Sequence, residues 1–412
     1  MTAAAPLPLP AATRAAGEDR LTRFAPKMGA DYARGRNFDH GAGRHRDVSQ
    51  LSPYLRRRLV LEREAVTRAY EAHGAEAAEK FVQEVLWRGY FKGWLEHRPE
   101  VWARYRDGLA QDLAALDDAP GLAARVAEAE AGRSGIACFD AWARELRETG
   151  YLHNHARMWF ASIWIFTLRL PWRIGADFFY RHLLDGDPAS NTLSWRWVAG
   201  LHTRGKFYAA EAANITRYTG GRFAPDPAEL AEVSEGLEAN EPEGLPPVAS
   251  LRAPRPPQPG LPTALLITEE DCRVEDFDLS AFDLRGAATL SASHLRSTRE
   301  VAPHVARFER DALADAAERA GVPDVQRLKA GGPSALVDWA QSLGVRQIVT
   351  PYIPVGPLGD WRESAEAALG AHGIALCELT REWDRVIWPH ATAGFFKVKK
   401  KLPQILAELG LA

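Results

Sequence analysis

Two stretches of the chain set chemically capable side chains at i, i+3 and i+4. In HNHARM, Asn154, Arg157 and Met158 would share one face of a helix and present an amide, a guanidinium and a thioether to one object, which reads as a ligand. In EVLWR, Glu84, Trp87 and Arg88 repeat that geometry. Further on, Asp185-Gly186-Asp187-Pro188 reads as a turn followed by a helix start, with Asp187 as N-cap, Pro188 at the first helical position and Asn191 one turn in. Two carboxylates and an amide therefore converge at a helix N-terminus. Five tryptophans lie between Trp159 and Trp197, in apolar helical text.

The elements that must hold these groups follow from periodicity. Residues 60–108 alternate apolar and charged positions at helical period, and 109–131 are Ala-rich and acidic, as in a surface helix and loop. Gly132, Ser134 and Gly135 mark a turn before a helix that carries Asp140. Residues 31–58 are polar, Gly-rich and basic, with Arg34, Arg36, Arg44 and Arg46 leading into Ser49 and Ser52. Hydroxyls and backbone amides at such a helix start suit a pyrophosphate, and Ser52 is also expected to cap the helix ahead of Pro53. Beyond a Pro/Glu-rich linker, the runs TALLIT, ATLSA, QIVTP and IALCEL alternate with helical segments, which predicts a parallel sheet wound with helices.

HNHARM, PWRIG, HLLDGDPASN and SWRW, in this order and spacing, resemble the flavin-binding domain of DNA photolyases and cryptochromes. VSQLSPYL at 48–55 resembles that family's phosphate-binding loop and EVLWR its substrate helix, so the likeness spans residues 30–200. The C-terminal part, with its closing WDRVIWPHATAGFFKVKKKL, resembles more weakly the family's α/β antenna domain. That domain comes first in the family and last here, an order consistent with circular permutation. The alternative is an unrelated flavodoxin-like domain that only stabilises the chain. The fold class implied is an all-α FAD-binding domain followed by an α/β Rossmann-like parallel-sheet domain. The expected layout is a flexible tail over 1–29, the helical catalytic domain over 30–225, the linker over 226–260 and the antenna-like domain over 261–412.

Carried over residue by residue, the resemblance implies that FAD is held by Tyr32, by Val48, Ser49, Gln50, Leu51 and Ser52 around the diphosphate, and by Arg157, Asp185, Asp187 and Asn191. Val48 stands where a Thr is usual, which removes one hydroxyl donor. Asn191 would face the flavin N5, while Asp187 and Asp185 would address its pyrimidine edge, Asp185 being paired with Arg157. The substrate side would comprise Arg36, Glu84, Trp87, Arg88, Asn154, Met158 and Trp197, with Trp87 and Trp197 as an aromatic clamp for flipped-out bases. Asn154 stands where the (6-4) branch usually carries His. The catalytic set would be Glu84, Asn191, Trp195 and Trp172. Trp195 and Trp172 match two links of the family's electron-supplying Trp chain; the third aligns near residues 118–120, which hold no aromatic, leaving Trp142, Trp159 or Trp164 as substitutes.

The activity implied is light-driven repair of cyclobutane pyrimidine dimers in DNA, in which reduced, excited flavin lends an electron, the ring bonds split and the electron returns. The competing reading is a cryptochrome-like blue-light or redox photoreceptor that signals to a protein partner without repair. An FAD-binding protein without photochemistry is a third. The retained pocket set of Glu84, Trp87, Asn154, Met158 and Trp197 favours repair, since signalling needs no dimer pocket. The antenna-like text leaves room for a second antenna chromophore of unspecified identity. Residues 209–223 leave the commonest photolyase pattern, with Asn214, Arg217 and Tyr218 on either the adenine or the DNA side.

Composition agrees with a globular enzyme: 412 residues suggest two or three domains, and 46% apolar with 25% charged residues is ordinary. No apolar run reaches the length of about 18 uncharged residues that a membrane span needs, because Arg169 and Arg173 interrupt the best candidate. The first residues lack the basic and apolar regions of a signal peptide, so the cytoplasm is expected and no membrane partner is implied. Cys138, Cys272 and Cys377 are too few for a disulfide framework or a four-thiolate centre, which excludes the iron-sulfur branch of the family. Residues 1–225 hold 32 Lys and Arg against 26 Asp and Glu, and the remainder 19 against 28, so only the first half is a candidate for a phosphate backbone. Three look-alikes fail. Gly200 to Lys206 fits GxxxxGK but has Phe207 in place of Ser or Thr, His153 and His155 diverge on a helix, and His202, Lys206 and Tyr208 read as a helix end.

Overall fold

A computed structural model describes residues 9–322 and 324–411, and it contains both expected classes of architecture. Contacts divide the chain into two units: one built mainly from Lys27–Gln50 and Arg98–Val248, the other from Pro10–Pro26, Leu51–His97 and Ala249–Ala412.

The second unit contains the sheet. Strands β1 (Pro262–Thr268), β2 (Asp283–Ser291), β3 (Gln326–Lys329), β4 (Gln347–Pro351) and β5 (Ala375–Leu379) run parallel in the order β3-β2-β1-β4-β5. Central β1 is buried on both faces from Thr263 onward, which is why it reads as an unbroken apolar run rather than an alternation. The crossover helices Pro303–Ala320, Ser334–Ser342 and Pro357–Ala371 join successive strands from β2 to β5. Leu266, Leu290, Ile348 and Leu376 pack with Leu358, Trp361 and Leu369 into one core. Four of the strands fall on the four apolar runs. The fifth, β3, has the polar text QRLK and lies at the sheet edge, largely exposed.

Residues 51–97 belong with this sheet, which corrects their expected place in a helical domain over 30–225. The cause is a buried charge network at the end of β1. Arg56 forks onto Glu270 at 2.7 and 3.0 Å, Arg57 reaches Glu269 at 2.9 Å, Arg58 reaches Asp384 at 2.6 Å, and Lys92 reaches Glu270 at 3.3 Å. The Tyr352 hydroxyl donates to Glu96 at 2.6 Å. Glu62–Glu96 is helical except at Gly74, whose φ of 74° and ψ of 166° break it. Gly93 lets Trp388 approach so closely that a Cβ there would sit 2.7 Å from its ring.

The flexible tail expected over 1–29 is also corrected: Arg14–Phe24 is a helix, capped by Thr13 accepting from the Ala16 amide, with Leu21 and Phe24 buried and Arg14 paired with Glu64 at 2.9 Å. Residues 1–8 of that tail lie outside the described residues.

The first unit is helical: Pro99–Asp117, Pro120–Glu130, Ala137–Thr149, Asn154–Ser162 running into a π turn at Ile163–Thr167, Trp172–His182, Pro188–Val198 and Ala212–Tyr218. Its core is aromatic, with ring centroids of Phe139 and Phe160 4.2 Å apart, Phe160 and Phe179 5.0 Å, and Phe179 and Trp195 5.1 Å. Gly175 of PWRIG admits Trp195, since a Cβ would lie 2.5 Å from its ring. Within the expected linker, Glu241 is buried and receives both Arg196 Nη atoms at 2.7 and 2.8 Å, which anchors that segment to the helices. Among the described residues, no helix is long and apolar enough to cross a membrane.

Candidate functional site

Gly150, at φ 67°, ends the helix Ala137–Thr149 in the left-handed conformation and turns the chain into the helix Asn154–Ser162. His153 caps this second helix: its Nδ1 accepts from the His155 amide at 3.2 Å. The imidazole is fully buried, and burial pushes its pKa down to about 3. One residue on, Asn154 is exposed and Met158, one turn later, half-buried. Arg157 turns back instead. Its Nε donates to the Leu152 carbonyl and its Nη2 to Asp185, both at 2.9 Å, and its guanidinium lies 5.7 Å from the centre of the Tyr151 ring. The expected Arg157–Asp185 pair is therefore formed.

The turn Asp185-Gly186-Asp187-Pro188 leads into the helix Pro188–Val198 as its sequence predicts. Asp187 is the N-cap, accepting from the Ser190 amide at 2.8 Å, and Pro188 is the first helical residue. Asn191 is buried, with its amide nitrogen donating to the Ala176 carbonyl at 2.8 Å, so its rotamer is set by the helix Trp172–His182. Two carboxylates and a fixed carboxamide thus occupy one short stretch, and the Arg157 guanidinium is brought to it by its pair with Asp185. The carboxylates can accept from the one N–H on the pyrimidine edge of an isoalloxazine, and the guanidinium and carboxamide can donate to the carbonyls that flank it, so the residues present fit that group.

In the same unit, Tyr32 is buried in the short helix Ala30–Gly35, and Arg36, Val48, Ser49 and Gln50 are partly exposed. Gln50 has φ 52°. Leu51 and Ser52 open the second unit. The expected capping by Ser52 is corrected: Leu51 holds the N-cap position of Ser52–Arg56 without a side-chain bond, and Ser52 is the first helical residue, followed by Pro53.

Glu84, Trp87 and Arg88 lie partly exposed along the helix Glu62–Glu96 of the second unit. The Trp87 indole is stacked on Phe395, centroids 3.8 Å apart and planes 17° from parallel, with Tyr90 and Phe91 alongside. Trp197, the other half of the expected clamp, stacks on Tyr208 of its own unit at 5.6 Å. Neither Phe395 nor Tyr208 is foreseeable from sequence, because each contact joins residues far beyond one helical turn.

Trp195 is buried and meets Trp164 edge to face at 6.4 Å, so Trp164 is the substitute that touches it. Trp172 meets Tyr105 at 5.8 Å, and Tyr105 meets Trp102 at 5.4 Å, two aromatics that motif reading passed over. Trp142 and Trp159 stack on each other at 5.4 Å. Asp140 accepts from Ser134 and Gly135 and closes the preceding turn. Gly200–Lys206 follows a helix, not a strand, and no cluster that could hold a metal occurs among the described residues.

Against known proteins, residues 81–220 match the model of the FAD binding domain of DNA photolyase. A deoxyribodipyrimidine photo-lyase from Streptomyces griseus is 36% identical over 189 residues, covering 46% of this chain and 39% of that protein. One from Thermus thermophilus is 36% identical over 195 residues, covering 47% and 44%. The chain thus spans less than half the length of these relatives. The crystal structure of the Synechocystis sp. PCC6803 cryptochrome overlays on 50% of this chain and 43% of its own, at 24% identity and a TM-score of 0.41.

Proposed function

Because residues 81–220 match the FAD binding domain of DNA photolyase, we propose that the chain is a member of the photolyase and cryptochrome family and a light-driven enzyme that splits cyclobutane pyrimidine dimers in DNA. The observation that carries this reading is the linked set Arg157–Asp185, Asp187 and Asn191, built on two helix starts of one unit. When bound and reduced, FAD supplies a single electron under light. Everything else falls to the protein.

Asp185 and Asp187 would offer acceptors to a flavin N–H, and Arg157 orients Asp185 through a charge-assisted bond. Asn191, held by Ala176, presents its carboxamide to the redox-active edge. Asn154, exposed at the first turn of its helix, offers a donor and an acceptor to a pyrimidine, and Met158 lines its apolar side. Taken unit by unit, Trp197 and Arg36 of the first offer DNA a stacking ring and a cation for phosphate, and Glu84, Trp87 and Arg88 of the second offer a carboxylate, a stacking ring and a cation. Trp195 and Trp172 pass electrons inward. The photoreceptor reading draws on one observation: Phe395 covers a face of Trp87 that a base would otherwise meet.

Binding in the dark separates the two. Purified protein holding about one FAD per chain should retain an oligonucleotide with a thymine dimer over its undamaged twin by about tenfold or more, given one to two stacked bases. Full FAD occupancy with no preference would end the repair reading in favour of the photoreceptor.

A further inference from the structure

The segment 209–223 has a defined place in the first unit. The backbone amide of Asp39 donates to the Tyr218 carbonyl at 2.8 Å, which ties the end of the helix Ala212–Tyr218 to the loop after Arg36. Around that tie three partly exposed rings meet: Phe38 lies 5.2 Å from Tyr218, edge to face, and His155 lies 5.0 Å from it. His155 is stacked in turn on buried Trp159, 4.2 Å away and 19° from parallel. Burial lowers the His155 pKa, so its ring is neutral near pH 7 and packs as an aromatic.

Charge is distributed asymmetrically around these rings. The acidic member of the loop, Asp39, is fully buried and saturated by the Gly41 amide, the Trp142 indole and Arg222 at 2.7 to 3.1 Å. Asp47 is engaged by His40 at 2.6 Å. Arg217, by contrast, is exposed with its guanidinium carbon 5.2 Å over the Tyr218 ring, and Arg36 is partly exposed at the head of the loop. Asn154, which is exposed, precedes His155 on the same helix.

We infer that Phe38, His155 and Tyr218, flanked by Arg36 and Arg217, form a second contact platform for the DNA strand, on which an unpaired base next to the lesion stacks while the two guanidiniums hold its phosphates. Flat faces with cations at their rim, one carboxylate buried and the other paired with His40, suit a polyanion that carries planar bases. The openness of the surface argues against the adenine end of the cofactor, which would call for an enclosed slot. The platform rests on the reading that DNA is the substrate, and it adds residues outside the dimer pocket.

The test compares full-length wild type, Tyr218→Ala and Arg217→Gln for FAD content and for affinity to single-stranded and dimer-containing duplex oligonucleotides over a salt series. Tyr218→Ala should weaken binding about fivefold or more, the loss of one stacked base. Arg217→Gln should lower the slope of log affinity against log salt by about one, the loss of one phosphate contact. Near-UV circular dichroism monitors folding, and Tyr218→Phe should rescue Tyr218→Ala. Wild type that binds no DNA overturns the platform and the repair reading together. Variants that bind as tightly as wild type overturn the platform alone. Variants that lose FAD at unchanged DNA affinity in the remaining holoprotein assign the surface to the cofactor and overturn it too.

Discussion

His153 makes the helix that carries Asn154, Arg157 and Met158 sensitive to acid. Its Nδ1 accepts the His155 amide, so the ring must be neutral there, and burial holds the pKa down to about 3 against an ordinary value of 6.5. The unfolded chain binds a proton below pH 6.5 that the folded chain refuses until about pH 3. Stability contributed by the neutral ring is therefore full above pH 6.5 and is lost as pH falls, at up to about 1.4 kcal/mol per unit. Between pH 7 and pH 5 the loss from this one group is about 2 kcal/mol. His153→Asn keeps an N-cap acceptor but does not titrate. Urea denaturation of both proteins at pH 7, 6 and 5, followed by near-UV circular dichroism, should show the wild type losing about 2 kcal/mol more than the variant over that range. Parallel pH profiles would refute the assignment of a neutral, capping His153.

Other outcomes follow from the same geometry. Glu270→Ala should cost about 3–5 kcal/mol because it strands buried Arg56 and Lys92, whereas replacing Arg56, Lys92 and Glu270 together by Met should recover most of that loss in a denaturation series. Trp195→Phe and Trp172→Phe should each slow photoreduction of oxidised flavin strongly, read by absorbance under blue light, while leaving repair by chemically pre-reduced protein nearly intact. Unchanged photoreduction in both would mean that electrons enter elsewhere. Trp87→Ala should weaken binding to dimer-containing DNA by about 1–3 kcal/mol and to undamaged DNA far less, measured by gel shift; equal losses would reduce Trp87 to a packing partner of Phe395.

What was legible in the sequence was local or carried by motif. The Asp187 cap with Pro188 follows from side-chain chemistry within four residues, and four strands announce themselves as apolar runs because a parallel sheet covered on both faces needs them. The Arg157–Asp185 pair, 28 residues apart, was reachable through family likeness rather than through spacing. The strand β3 was not legible, since an exposed edge lets QRLK stay polar. Nor was the allegiance of residues 51–97, decided by ion pairs such as Arg56–Glu270 across 214 positions. Arg14–Phe24 was hidden by Ala- and Pro-rich surroundings, although Leu21 and Phe24 sit three apart on one face and are buried. The Trp87–Phe395 stack depends on a fold that brings the chain's C-terminal region against its longest helix, which no pattern within either segment encodes.

The central claim is light-driven repair, and the direct measurement is chromatographic. Purified, chemically reduced protein is mixed with an oligonucleotide carrying one thymine cyclobutane dimer, illuminated at wavelengths that the reduced flavin absorbs, and the products are separated. Intact thymines should appear in proportion to the photons absorbed, with none formed in the dark and none by protein stripped of FAD. Bound flavin that absorbs the light while the dimer persists unchanged would contradict the account.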